Sequence, residues 1–194
     1  MLLLAVGLVL FLGIHLVPTS PDVRNGLVER FGANAYKAIF AILSFAGLLL
    51  IIYGYHKLQV NPGKNVFFGD PPSWLKHVSW LLMLPAMIAL VAAYVPSRIR
   101  SALKHPMLVA IKIWALAHLL VNWDLGSILL FGSFLAYAVY DRISVKKRGA
   151  LGPLGAKQGG LAGDLTVLVI GVGLYVFMLK AGHAWLIGVP LLPA

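Results

Sequence analysis

The sequence predicts an all-α protein embedded in a membrane, with about six transmembrane helices. Three observations carry this. The 194 residues are 60% hydrophobic and only 11% charged, where soluble domains carry about 25% charged residues. The apolar residues gather into runs near the length a bilayer requires, about 17–25 residues. The basic residues fall between those runs rather than inside them. Nothing divides the chain, so residues 1–194 read as a single membrane domain.

The first run, Leu2–Val17, lacks a positive leader end and a small-residue cleavage pattern, so it reads as a retained span and not as a signal peptide. Ala35–Tyr55 and Leu75–Tyr94 follow as spans two and three. Pro106–Asn122 and Ser127–Tyr140 are spans four and five, and so short a link between them predicts a tight antiparallel hairpin. Leu165–Leu179 is span six. Trp185–Leu192 is too short to cross a bilayer and reads as interfacial.

Lysine and arginine set the expected topology. Arg24, Arg30, Lys37, Arg98, Arg100, Lys104, Arg142, Lys146, Lys147, Arg148 and Lys157 follow spans one, three and five. The other side holds only Lys57, Lys64, Lys76 and Lys180, and Lys112 lies within span four. By the positive-inside rule both termini face outward, to the periplasm in a Gram-negative cell. The net charge of +10 therefore reports topology, and no basic domain exists to bind nucleic acid. The chain contains no cysteine, which excludes disulfides, thiolate metal ligands, iron–sulfur clusters and covalent c-type haem. Nucleotide-binding, nucleophile-elbow and HExxH zinc motifs are also missing from the sequence.

The histidines carry the functional signal. His15 and His118 lie in otherwise apolar runs, where an ionisable side chain is costly and marks a candidate site. Neutral imidazole is also the commonest metal ligand. The structural alternative is a ring satisfied by a neighbouring helix. His118, Asn122 and Asp124 form a polar cluster at the outer end of the hairpin, readable as a site or as a helix-capping network. His105 precedes Pro106 at the start of span four, where a helix N-terminus can hold an anion. It lies roughly 20 Å from His118 along one helix, so the two cannot share a small site. His56, His77 and His183 fall near the outer interface and together with His118 could make a site, but their spacing follows no metal-ligand motif.

These features resemble the NnrU family of bacterial membrane proteins over nearly the whole chain. The resemblance rests on His15, Pro18 and Arg24, on FGANAYKAIFAILS, on HPMLVAIKIWALAHLLVNWD, on LLFGSFLAYAVYD, and on the stretch beginning His183-Ala-Trp. The chain departs from the family in having Asn122-Trp123-Asp124 where Asn-Gly-Asp is usual. The resemblance implies a bacterial inner (cytoplasmic) membrane and a link to denitrification through nitrite and nitric oxide reduction. Relatives in photosynthetic organisms are the zeta-carotene isomerases, membrane haem b enzymes with histidine axial ligands. It thus implies haem b held by His15 and His118, with Asn122 and Asp124 ordering the outer ring. It also implies lipid, an apolar isoprenoid substrate or a denitrification enzyme as partners, and a haem-dependent isomerase or redox activity. A cysteine implicated as an alternative ligand in the isomerases has no counterpart here. By the charge topology His15 lies near the inner face and His118 near the outer, about 10–15 Å apart in depth.

Lys104-His105-Pro106 and the following hairpin also resemble the isoprenylcysteine methyltransferases, which bind S-adenosylmethionine at an Arg-His-Pro start. Here Lys104 replaces the arginine and the paired glutamates expected after the hairpin are missing. That resemblance implies a methyltransferase centred on His105, with Arg98 and Arg100 nearby. A third alternative is a non-enzymatic assembly factor whose polar groups are structural.

Overall fold

A computed structural model describes residues 1–152 and 154–192. Among these, the chain is helical and contains no β-strand; a lone bridge joins Phe67 to Asp124. The helices are α1 (Leu2–Leu16), α2 (Pro21–Phe31), α3 (Ala33–Gln59), α4 (Trp74–Ala92), α5 (Arg98–Leu103), α6 (Pro106–Leu119), α7 (Leu125–Lys147), α8 (Leu161–Phe177) and α9 (His183–Ile187). Five spans are long and apolar enough to cross a membrane: Leu2–Thr19, Ala33–Gln59, Trp74–Ala92, Leu125–Lys147 and Leu161–Ile187. The segment expected as span four is the shorter apolar helix α6. Its 14 residues reach about 21 Å.

One boundary differs from the sequence reading. The piece expected to lie separately at the interface joins α8 through a π-turn, Met178–Gly182, and the helical path runs on to Ile187. It stops at Gly188, which takes the left-handed conformation with φ 81°, open to glycine without a Cβ clash. Periodicity cannot reveal such continuity, because Lys180, Gly182 and His183 interrupt the apolar run.

The helices associate through small residues, as expected where lipid removes the hydrophobic drive between helices. α1 packs along α3. A Cβ added at Gly47 would lie 2.7 Å from the Phe11 amide nitrogen, and one at Gly54 would lie 2.5 Å from that of Leu4. Only glycine permits backbones so close. α4 contacts both α6 and α8, and Ala86, Ala89 and Ala92 on α4 and Ala110, Ala115 and Ala117 on α6 are buried. The principal core lies where α1, α3, α6 and α7 meet. Leu4, Leu8, Ile51, Leu58, Ala115, Leu130 and Phe131 are buried there, with Phe11, Trp114 and Phe134 packed against them. Outward-facing Val9, Ile42, Phe45, Leu81 and Val169 remain exposed. Such an apolar exterior suits hydrocarbon, and the helices satisfy their own backbone groups there.

The ends of the bundle are closed by polar contacts. At one end the loop after α3 folds onto the α6–α7 link. Phe68 N–H donates to the Trp123 carbonyl at 2.9 Å, and Leu125 N–H donates to that of Val66 at 2.8 Å. At the other end Asp164 of α8 caps α5. Its carboxylate accepts from the Arg98 and Ile99 amides at 2.7 and 3.2 Å and from the Arg98 guanidinium.

Candidate functional site

His118 occupies the last turn of α6, half-buried. Its Nδ1 lies 2.8 Å from the Trp114 carbonyl, one turn back. A carbonyl can only accept, so Nδ1 carries a proton, and a neutral ring would have its lone pair on Nε2. The ring lies against Phe131 at 4.6 Å between centroids and against Trp114 at 5.3 Å.

His183 opens α9 directly after the π-turn. Such turns occur frequently at functional sites. The chain reverses at Gly188, and the Val189 carbonyl accepts from His183 Nδ1 at 2.7 Å. The His118 and His183 rings are nearly parallel, at 22°, with centroids 6.5 Å apart. In its neutral form each ring would carry its lone pair on Nε2, with the ring orientation fixed by a backbone acceptor. This is how metal-binding histidines are commonly held.

His15 lies elsewhere. Its Nδ1 donates to the Phe11 carbonyl at 2.6 Å, and its ring sits among Phe11, Phe40 and Tyr137 of α1, α3 and α7. His118 meets α7 at Phe131 and His15 meets it at Tyr137, a separation of about 9 Å along the helix. Between the two histidines runs a chain of rings, Phe11 to Phe134 at 5.6 Å and Phe134 to Trp114 at 5.7 Å. His15 and His118 make no ring contact with each other.

Asn122 and Asp124 direct their side-chain hydrogen bonds away from the His118 imidazole. The Asn122 amide donates to the His118 backbone carbonyl at 2.8 Å, closing the end of α6. Asp124 is buried and caps α7, accepting from Ser127 N–H at 2.9 Å and Ser127 Oγ at 2.6 Å. It also accepts from Asn65 Nδ2 at 2.6 Å, and Asn65 Oδ1 in turn accepts from Gly126 N–H at 3.0 Å. The capping alternative describes these contacts, and Asn65, which sequence reading passed over, completes the network. His77 packs on Trp80 of its own helix, and His56 is exposed.

His105 lies at the opposite, basic end and precedes α6. It lines a cavity of about 450 Å³ with Arg100, Lys104, Arg142, Lys146 and Lys157. Burial and then the Arg142 charge hold its imidazole below its usual pKa, and the opposing influence of Asp141 does not reverse this. Lys104 adopts φ 62°, a left-handed conformation costing a non-glycine residue about 1–3 kcal/mol. Arg98, which the methyltransferase resemblance placed near the cofactor, is taken up by Asp164.

Among the described residues no three histidine, aspartate or glutamate side chains gather as a metal-binding set. Among the described residues the arrangement at His118 and His183 therefore offers two imidazoles without a third histidine, aspartate or glutamate beside them.

A bundle of long apolar helices with interior histidines defines a multi-pass α-helical membrane protein. The chain belongs to the NnrU family: the family model described as NnrU protein matches residues 3–191. No curated protein and no solved structure matched it.

Proposed function

We propose that this NnrU-family protein binds haem b and serves as an electron-carrying membrane component of nitrite or nitric oxide reduction. The observation that carries the reading is the His118–His183 pair. Two imidazoles with Nδ1 protons committed to backbone carbonyls are too few for a tetrahedral zinc site, which takes about four ligands. They suit a cofactor that brings its own equatorial nitrogens. The aromatic surroundings of His118 are equally suited to a flat apolar ring.

In this reading His118 is one ligand, as the family resemblance implies, and the His183 ring 6.5 Å from it would be the second. When bound, haem supplies one-electron redox chemistry, with a potential set by its axial ligands and burial. The protein's part is to orient both imidazoles and to surround them with apolar side chains. The cysteine-free sequence lacks the alternative thiolate ligand implicated in the isomerases, so a redox role is favoured over isomerisation of an isoprenoid.

The methyltransferase alternative meets an electrostatic objection. S-adenosylmethionine carries a positive sulfonium, whereas the His105 cavity is lined by cations and by no aspartate or glutamate.

The test is the absorbance spectrum of protein purified from haem-replete cells, oxidised and reduced. A Soret band with sharp reduced α and β bands is expected. A featureless spectrum from folded protein would overturn the proposal.

A further inference from the structure

Arg100 is 7% exposed. Its guanidinium donates to the Lys157 carbonyl at 2.8 Å and the Gly155 carbonyl at 2.7 Å. Among the described residues no carboxylate pairs with it; the ion pairs there are Arg98–Asp164 and Arg148–Asp141. Buried charges are ordinarily paired. Carbonyl dipoles orient this one without neutralising it. The adjoining cavity adds Lys104, Arg142, Lys146 and Lys157, again with no acid in its lining. These cations line one cavity of about 450 Å³. They repel one another unless an anion enters.

We propose that this cavity binds a phosphate group, delivered as the headgroup of an anionic lipid or as a soluble phosphate. Several cations around one cavity exceed what a lone carboxylate neutralises. An arginine fork such as that of Arg142 matches phosphate oxygens in pairs. The lipid source is favoured by a second cavity that shares Arg142 and Lys146 with the first and adds Ile143 and Lys147. It carries the basic lining onto the outside of α7, where Val139, Tyr140 and Ile143 are exposed. A headgroup can sit among the basic side chains while its chains follow this apolar face. Basic pockets between transmembrane helices bind anionic headgroups in this way. The site is independent of the haem reading, since it shares no residue with His118 or His183.

The experiment uses the full chain in non-ionic detergent and follows its melting temperature. One arm compares micelles doped with phosphatidylglycerol against phosphatidylcholine. The other compares inorganic phosphate against chloride at equal ionic strength. Near saturation the phosphate-bearing ligand should raise the melting temperature by several degrees. The double variant Arg142→Gln/Lys146→Gln, which leaves buried Arg100 in place, should lose most of that rise. A shift with phosphatidylglycerol alone identifies lipid as the source, and a shift with inorganic phosphate alone identifies a soluble ligand. No shift in either arm, or an equal shift in the double variant, overturns the proposal. Arg142→Lys supplies a second reading: charge without the fork should weaken the response while the protein still melts cooperatively.

Discussion

The rings of His118 and His183 lie 6.5 Å apart and within 22° of parallel, although 65 residues separate them in the chain. Each is oriented by a backbone carbonyl of its own neighbourhood, Trp114 for one and Val189 for the other. Two features of the fold bring this about. α6 ends close to its partner α7, and the π-turn after α8 carries the path on to His183.

Loss of either ring should be visible in the haem spectrum. His118→Ala should abolish the Soret band or reduce it at least tenfold. His183→Ala should retain haem while shifting it from low to high spin. His15→Ala should leave the spectrum unchanged, because His15 sits in a separate aromatic surrounding. Loss of haem in His15→Ala with an unchanged spectrum in His183→Ala would restore the pairing implied by the family resemblance.

Asp124 should matter for stability and not for cofactor spectra. Asp124→Ala removes the α7 cap and leaves the buried Asn65 amide without its acceptor. The cap and the orphaned donor together should cost about 2–4 kcal/mol. Reversible unfolding in mixed detergent micelles would measure this, and Asp124→Asn should recover part of it.

The α1–α3 contact should tolerate no side chain. Gly54→Val places new carbons against the Leu4 backbone, which cannot move as a flexible side chain would. Overpacking of this kind costs about 1–3 kcal/mol or more. A lower melting temperature is expected, whereas Gly13→Ala, at a position with open space around it, should be neutral.

His105 should make stability fall on acidification. Burial, Arg142, Arg100 and Arg148 disfavour its charged form, and Asp141 favours it. The folded pKa thus lies below the unfolded value of about 6.5. Between the two, the unfolded chain binds more protons, so stability rises with pH through that window. Stability is lost as pH falls below about 6.5, and a melting-temperature profile of His105→Gln should be flatter there.

Composition and charge placement made the membrane class legible, because water and hydrocarbon select residues by short-range polarity that any window of sequence displays. The individual histidines were legible for the same reason, since a polar ring in an apolar run is conspicuous. Their grouping was not. Asp124 and Asn122 are adjacent in sequence to the His118 helix end, yet their side chains turn to Ser127, Asn65 and a backbone carbonyl. Proximity along the chain does not say which of several nearby donors wins an acceptor.

By itself, the sequence determined the class of protein, the approximate spans, the basic loops and the absence of thiolate chemistry, since all of these follow from the identity of residues taken locally. The tertiary structure alone decided that His183 meets His118, that Asn65 reaches Asp124, and that Arg100 is buried beside a cavity without an acid. These relationships join residues tens of positions apart. They depend on how closely helices approach and where each path turns, distances set by the Gly54–Leu4 contact and the π-turn at Met178–Gly182. Such geometry is a property of packing, which no local pattern of residues encodes.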